Sequence, residues 1–246
     1  MTVLVGLFCK DGVVIGTDSA ATFAAGQIRT IEQTTQKIDI VADKIIVAGS
    51  GQIGLGQRFS AVVQNAWNAK QFRGSAIEVG KILSAEGIKD FASTTAPKGQ
   101  FGCLVAFPLN NNMHLCEFSP VDFQPELKTD RIWYVSMGSG QQICDPFLGL
   151  MRKAFWKQGP PTTQDGVFAV IWAIQHAIDL NPGGVNGPVQ IAVLALNKGE
   201  CHSRLLSEAE LAEHINSVDG AIAHLGDYAN ILRGKSPKEV PDIPRP

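Results

Sequence analysis

Charge is scarce in this chain, and no sign of it dominates. Of 246 residues only 18% are Asp, Glu, Lys or Arg, and 21 basic against 23 acidic side chains leave a formal net charge of −2. Without a basic surplus there is nothing to attract nucleic acid or an anionic membrane surface. Long apolar runs are missing too; none approaches the roughly 20 residues of a membrane-spanning helix. The start, Met1-Thr2-Val3-Leu4-Val5-Gly6, lacks the basic-then-apolar order of a secretory leader, so a cytoplasmic location is expected. The five cysteines, Cys9, Cys103, Cys116, Cys144 and Cys201, are odd in number and widely spaced. That pattern argues against a disulfide framework and for buried free thiols in a reducing compartment. No Gly-x-Ser-x-Gly elbow occurs, so a nucleophile of the α/β-hydrolase kind has no anchor. His176 and Asp179 stand three apart in a helical stretch with no third ligand in register, so neither metal nor cofactor is expected.

What the chain does have is apolar content, 45% of its residues, enough to bury a large core as one domain over residues 1–233. The segment 234–246 holds four prolines and reads as an extended or disordered tail. Strand-like runs lie at 3–9, 13–18 and 44–48, and two helices follow, about 53–72 and 76–91, the second opened by the capping box Ser75 and Glu78. Strands recur near 101–107, 113–118 and 132–135. A second helix pair covers about 141–157 and 164–179, split by Gly159-Pro160-Pro161. Two more strands, 189–196 and 200–205, precede a last helix that Ser207 and Glu210 open and that carries the stripe Leu211, Ile215, Val218, Ile222, Leu225. Strands, helix pair, strands, helix pair, strands predicts an α+β fold: a four-layer α-β-β-α sandwich, two antiparallel sheets between two helical layers. The apolar excess would also suit subunit packing.

Chemistry points to the beginning of the chain. If Met1 is removed, Thr2 carries a hydroxyl and a free α-amine on one Cα. An α-amine titrates near 7.7–8.0, so at neutral pH a useful fraction can take the hydroxyl proton. A threonine with its own amine as base is a known way to activate a weak alcohol nucleophile. Thr2 alone would be unremarkable, since small second residues are common. The residues that follow change this. Val3 to Cys9 reads as a buried strand, Lys10-Asp11-Gly12 as a turn, and Val13 to Asp18 as the return strand. A two- or three-residue loop sets Thr2 opposite a residue between 19 and 21, which brings Asp18 close to it. A chain terminus held inside a core is unusual, because termini normally fray.

These residues resemble the start of a mature proteasome β-type subunit, one of the N-terminal-nucleophile hydrolases, and among relatives the small bacterial proteasome homologues above all. The likeness is carried by Thr2-Val3-Leu4-Val5-Gly6, Cys9-Lys10-Asp11-Gly12 and Asp18-Ser19-Ala20-Ala21-Thr22. Further along it is carried by Gln36-Lys37-Ile38, Val47-Ala48-Gly49, Met137-Gly138-Ser139-Gly140, and His176-Ala177-Ile178-Asp179 with Gly183-Gly184. It extends over about residues 2–205. It departs from the family pattern in a longer stretch from Phe23 to Gln36, in Ala20 where an arginine is frequent, and in Pro182 where a serine is.

The resemblance implies a self-compartmentalising threonine peptidase. Thr2 would attack the peptide carbonyl and Lys37 would lower the amine's pKa and steady the Thr oxygen. Asp18 would hold Lys37, the Gly49 N–H would serve the oxyanion, and Ser139 and Asp179 would orient the amine. Ala21, Thr35 and Val47 would surround the side chain before the cleaved bond and favour a modest apolar one. Stacked homo-oligomeric rings acting on peptide or unfolded protein are implied; an ATPase partner is not specified. Blander readings stand beside these: a structural Asp18–Lys37 ion pair, Ser139 as a helix cap, Asp179 as a polar residue at a helix end. A ring-forming relative with little peptidase activity, or one acting on small amides, is the alternative function. Gly49-Ser50-Gly51-Gln52-Ile53-Gly54 also matches the dinucleotide fingerprint G-x-G-x-x-G, but the acidic ribose contact about twenty residues on is missing.

Overall fold

The structure is a computed structural model that describes residues 2–25, 28–94, 100–180 and 184–233; side chains are not described for residues 24, 25 and 28–30. Met1, Pro182, Gly183 and the expected tail at 234–246 lie outside the described residues. The chain runs β1 (Val3–Cys9), β2 (Gly12–Thr17), β3 (Ala20–Ala25), β4 (Ile28–Thr34), β5 (Ile38–Val41), β6 (Ile45–Gly51), α1 (Ile53–Asn68) and α2 (Ala76–Ala92). It continues β7 (Phe101–Leu109), β8 (Asn112–Phe118), β9 (Pro125–Leu127), β10 (Tyr134–Gly138), α3 (Gln141–Phe155), α4 (Thr163–Leu180), β11 (Gln190–Asn197), β12 (Glu200–Leu205) and α5 (Glu208–Leu232).

Two five-stranded sheets form, in the orders β10-β1-β2-β11-β12 and β5-β6-β7-β8-β9, and every pairing in them is antiparallel. Side-chain alternation sorts the residues into three cores. Val3, Val5 and Leu7 turn to α3 and α4 and pack with Cys144, Leu148, Val170 and Ile174. Leu4, Val13 and Ile15 turn the other way and meet Ile46, Ala48, Leu104 and Ala106 between the sheets. Ile45, Val47, Cys103, Val105 and Phe107 face α1 and α2 around the fully buried Phe59. Strands buried on both faces read as unbroken apolar runs, as this sequence does. The α-β-β-α order is therefore the observed one. No helix among the described residues is long and apolar enough to cross a membrane.

The first hairpin is as tight as the sequence reading allows. Cys9 pairs with Gly12 and Leu4 with Thr17, so continuing the register sets Thr2 opposite Ser19. Asp11, in the turn, also accepts from the backbone N–H of Thr163 (2.7 Å) and from its hydroxyl (3.1 Å). A carboxylate on the first turn of α4 satisfies an otherwise unpaired donor there and complements the helix dipole. The tip of the hairpin is thereby fastened to the helical layer.

Some boundaries differ from expectation, each for a local reason. The helix expected to reach Phe72 stops at Asn68. Lys70 adopts φ of +56°, its N–H donates to the Trp67 carbonyl (2.9 Å), and the Gln71 N–H donates to the Ala66 carbonyl (3.0 Å). That is a Schellman closure without its usual glycine. The strand expected near 132–135 is displaced to Tyr134–Gly138, where it pairs with β1. The stretch after Asp18, longer than the family pattern, folds as the separate two-stranded sheet β3–β4. Among the described residues all five cysteines are free. Burial pushes the Cys116 and Cys144 thiols up to about 12 and raises those of Cys9 and Cys103 strongly, so these thiols stay neutral.

Candidate active site

Thr2 sits just before β1, between the two strands that flank it. On one side the Gly140 N–H donates to the Thr2 carbonyl (3.3 Å). The Thr2 nitrogen lies 3.3 Å from Ser139 Oγ as donor, and Ser139 Oγ lies 3.3 Å from the Thr2 carbonyl as donor in turn. Gly138 makes this approach possible. Its φ is +86°, and a Cβ there would fall 2.2 Å from the Thr2 carbonyl oxygen. The N-cap of α3 is Gly140 with no side-chain capping bond. The Ser139 hydroxyl is thus directed to Thr2 rather than to its own helix.

On the other side lies Asp18, fully buried. Its Oδ1 accepts from the Val3 N–H (3.0 Å) and from Lys37 Nζ (2.8 Å). Its Oδ2 accepts from the N–H groups of Ala20 (3.1 Å) and Asn186 (3.4 Å). A carboxylate removed from water needs that many partners. Lys37 Nζ reaches onward to Thr2 Oγ1 at 3.3 Å. One ammonium therefore bridges a buried carboxylate and the threonine hydroxyl. Burial lowers the Lys37 pKa from its ordinary 10.5, against the raising effect of Asp18 and its hydrogen bond. Thr17 completes the support, its hydroxyl donating to the Val3 carbonyl (2.8 Å).

Thr2 and Lys37 open onto a cavity of about 680 Å³. Ala21, Thr35, Val47 and Gly49 all line it. Gly49 has no room for a side chain, since a Cβ would fall 2.5 Å from the Phe101 ring. Ile38 pairs with Ala48, and one further step in that register sets Lys37 opposite Gly49. The cavity is more polar than those small residues suggest. Asp39, which pairs with Val47, lines it together with Gln57 and Ser60, and the Ser60 hydroxyl donates to Asp39 Oδ2 (2.5 Å).

Asp179 stands apart from this cluster. It is exposed near the end of α4 and lines a second groove with His176, Asn186 and α5, and no hydrogen bond between described residues ties it to Thr2 or Ser139. His176 stacks on Phe147 with ring centroids 4.5 Å apart. Asp39 and Gln190 are the site residues that the sequence reading did not single out. Gln190 offers one signal in retrospect: a lone amide opening the otherwise apolar run Ile191–Leu196.

Chemically, the cluster offers a hydroxyl beside a cation, a nitrogen held by a serine hydroxyl, and a glycine backbone across a roomy cavity. The nucleotide alternative finds no support in the topology. Both neighbours of β6 run antiparallel to it and α1 leads to α2, so the βαβ crossover of dinucleotide folds is missing here.

Comparison with known proteins agrees with this picture. The family model described as "Proteasome subunit" matches residues 2–193. Of 608 matching solved chains, one is described as Anbu, an ancestral beta-subunit, from Yersinia bercovieri. It shares the fold with a TM-score of 0.67 and 13% identity, over 99% of this chain and 100% of that one. At such identity the likeness speaks for the fold alone. No curated protein matches the sequence.

Proposed function

The chain belongs to the proteasome subunit family, and from that premise we propose that it is a threonine peptidase that works after Met1 is removed. One observation carries the reading: Lys37 Nζ stands 3.3 Å from Thr2 Oγ1 and 2.8 Å from the buried Asp18. In the proposed reaction the Thr2 α-amine, directly or through a water, takes the hydroxyl proton while Oγ1 bonds to the peptide carbonyl carbon. The Lys37 cation favours the unprotonated amine and steadies charge on the threonine oxygen. The Gly49 N–H is proposed as the donor to the tetrahedral oxyanion, a role worth about 10²–10³ in rate. The protonated amine then gives its proton to the leaving nitrogen, the C–N bond breaks, and water hydrolyses the ester on Thr2. Ser139 is assigned to orient the amine. For Asp179 no such role is assigned, since no hydrogen bond between described residues joins it to Thr2 or Ser139.

We also place the active chain in stacked homo-oligomeric rings, as proteasome-like proteins generally form. Exposed apolar side chains on two helices, Leu150 and Phe155 on α3 and Leu225 and Tyr228 on α5, would suit such packing.

The test joins two measurements on purified protein. Intact mass reports whether Met1 is gone. A peptide epoxyketone, which engages both the hydroxyl and the α-amine of an N-terminal threonine, is expected to label Thr2 stoichiometrically. An assembled, Met1-free protein that takes up no label would defeat the peptidase reading and favour the alternative of a ring-forming protein with little activity or one acting on small amides.

The cavity also bears on substrate choice. Among the described residues its ionisable lining side chains are Lys37 and Asp39, and Lys37 already faces Asp18. The Asp39 carboxylate is then placed to meet a cationic side chain, so we expect Lys or Arg before the cleaved bond to be preferred over a small apolar residue. Asp39→Asn should lower kcat/KM for basic substrates about 3–10-fold, the range of a partly exposed charge pair, and leave apolar ones unchanged. Faster cleavage after Ala or Val by the unsubstituted protein would count against this preference.

A further inference from the structure

Gln190 opens β11 and lies outside the groups that touch Thr2, yet its side chain makes three hydrogen bonds around the lysine. Its Oε1 accepts from the Lys37 backbone N–H (3.0 Å). Its Nε2 donates to the Thr35 carbonyl (2.7 Å) and to Ser19 Oγ (2.8 Å). Residues 35–37 belong to no strand; β4 ends at Thr34 and β5 begins at Ile38. Lys37 N–H and Thr35 C=O are a donor and an acceptor two residues apart, the pair that one residue of a parallel neighbour would satisfy. The primary amide replaces that missing neighbour with one acceptor and two donors. Its third bond reaches the segment after Asp18. There the Ser19 carbonyl accepts from the Thr35 N–H (2.9 Å), the Ser19 N–H donates to the Asn186 carbonyl (3.1 Å), and the Ser19 hydroxyl donates to the Pro188 carbonyl.

We propose that Gln190 is a positioning residue of the Thr2 site, holding segment 35–37 in the register that brings Lys37 to Asp18 and Thr2 while Thr35 stays on the cavity wall. The ordering is specific to the residue type. Asn is one methylene short of the three partners. Glu keeps the acceptor for the Lys37 N–H but loses both donors. Met keeps the length and loses all three bonds.

This role rests on the peptidase reading, and the experiment separates the two. Epoxyketone labelling of Thr2 is followed across pH in the unsubstituted protein, Gln190→Met and Gln190→Glu, with native mass and thermal midpoint recorded for each. Amide hydrogen exchange of the peptide containing residues 35–38 is measured in parallel. In Gln190→Met the labelling rate should fall about 10- to 100-fold, the scale of a misplacement near 1 Å. The pH profile should shift, and exchange at 35–38 should quicken while the rings remain assembled. Gln190→Glu should keep protection at the Lys37 amide better than Gln190→Met does. Equal labelling rates and an unmoved pH profile, with the unsubstituted protein labelled normally, overturn the role of Gln190 and leave the peptidase reading standing. If the unsubstituted protein takes no label, the peptidase reading fails. Exchange then decides whether Gln190 orders the segment at all: unchanged exchange in both variants refutes it. Should Gln190→Met fail to assemble, the near-isosteric Gln190→Glu carries the same comparison. A lower thermal midpoint with no change in pH profile or in local exchange marks a purely structural residue and also overturns the proposal.

Discussion

Thr2→Ala is expected to abolish peptide cleavage and epoxyketone labelling, and to leave the native mass of the assembly unchanged. The first outcome follows from chemistry: with no Oγ1 there is no atom to form the ester. The second follows from the way the residue is held. Thr2 is placed by main-chain groups, through the Gly140 N–H on its carbonyl and the Ser139 hydroxyl beside its nitrogen and carbonyl, and alanine keeps all of these. The ammonium of Lys37 retains its bond to Asp18 at 2.8 Å. Thr2→Ser is the companion variant. It restores a hydroxyl at the same place and should recover measurable turnover. Cleavage by Thr2→Ala at the unsubstituted rate, measured on a fluorogenic peptide after affinity purification from a protease-deficient host, would remove Thr2 from the mechanism.

Lys37→Ala is expected to reduce kcat by about 10²–10⁴-fold, the range of a group that assists proton transfer and steadies developing charge. The same change strands the Asp18 carboxylate in the core, and losing one partner of a buried ion pair costs about 3–5 kcal/mol. A stability loss alone would therefore mimic a catalytic one. Initial rates corrected for the folded fraction at the assay temperature, taken from denaturation curves, separate them. If the corrected rate of Lys37→Ala equals that of the unsubstituted protein, the pair is a structural ion pair and nothing more.

The acid–base behaviour of Lys37 adds a directional check. Its pKa is lowered from 10.5, with burial as the leading cause. Native protein thus sheds this proton at lower pH than unfolded chain does. Between the lowered value and 10.5 the unfolded state binds more protons, so this group makes folding more favourable as pH rises through that window. Catalysis that needs the cation falls over the same window. Activity and conformational stability should therefore move in opposite senses on the alkaline side, read by initial rates and by urea midpoints at matched pH.

Much of this arrangement was legible before any coordinates. Thr2 and Asp18 are joined by one tight hairpin, and a two-residue loop leaves little freedom in their separation. The capping boxes at Ser75 and Ser207 mark their helices because both partners are four-residue neighbours, and both boxes are formed in full. What the sequence hid depends on distant partners or on unmarked backbone. Lys70 ends α1 in a left-handed conformation with no glycine to announce it. Gln190 meets Lys37 across 153 positions, and no local pattern foretells a side-chain amide serving as a strand. Asp179, part of a motif present in sequence, is exposed on α4, and no hydrogen bond between described residues joins it to the cluster.

The place of β1 inside its sheet, between β10 and β2, bears on how the polypeptide is born. Its two neighbours are β2, which follows at once, and β10, whose residues Tyr134–Gly138 pair with Leu7–Val3. A ribosome emits the first hairpin more than a hundred residues before that partner, at about 5–20 residues per second. The free edge of β2 waits longer still, until β11 arrives at Gln190. For several seconds a ribbon greasy on both sides hangs with its hydrogen-bonding edges open, a template for mispairing with other nascent chains. The strand that follows Thr2 is thus made well before one of the two strands that shelter it.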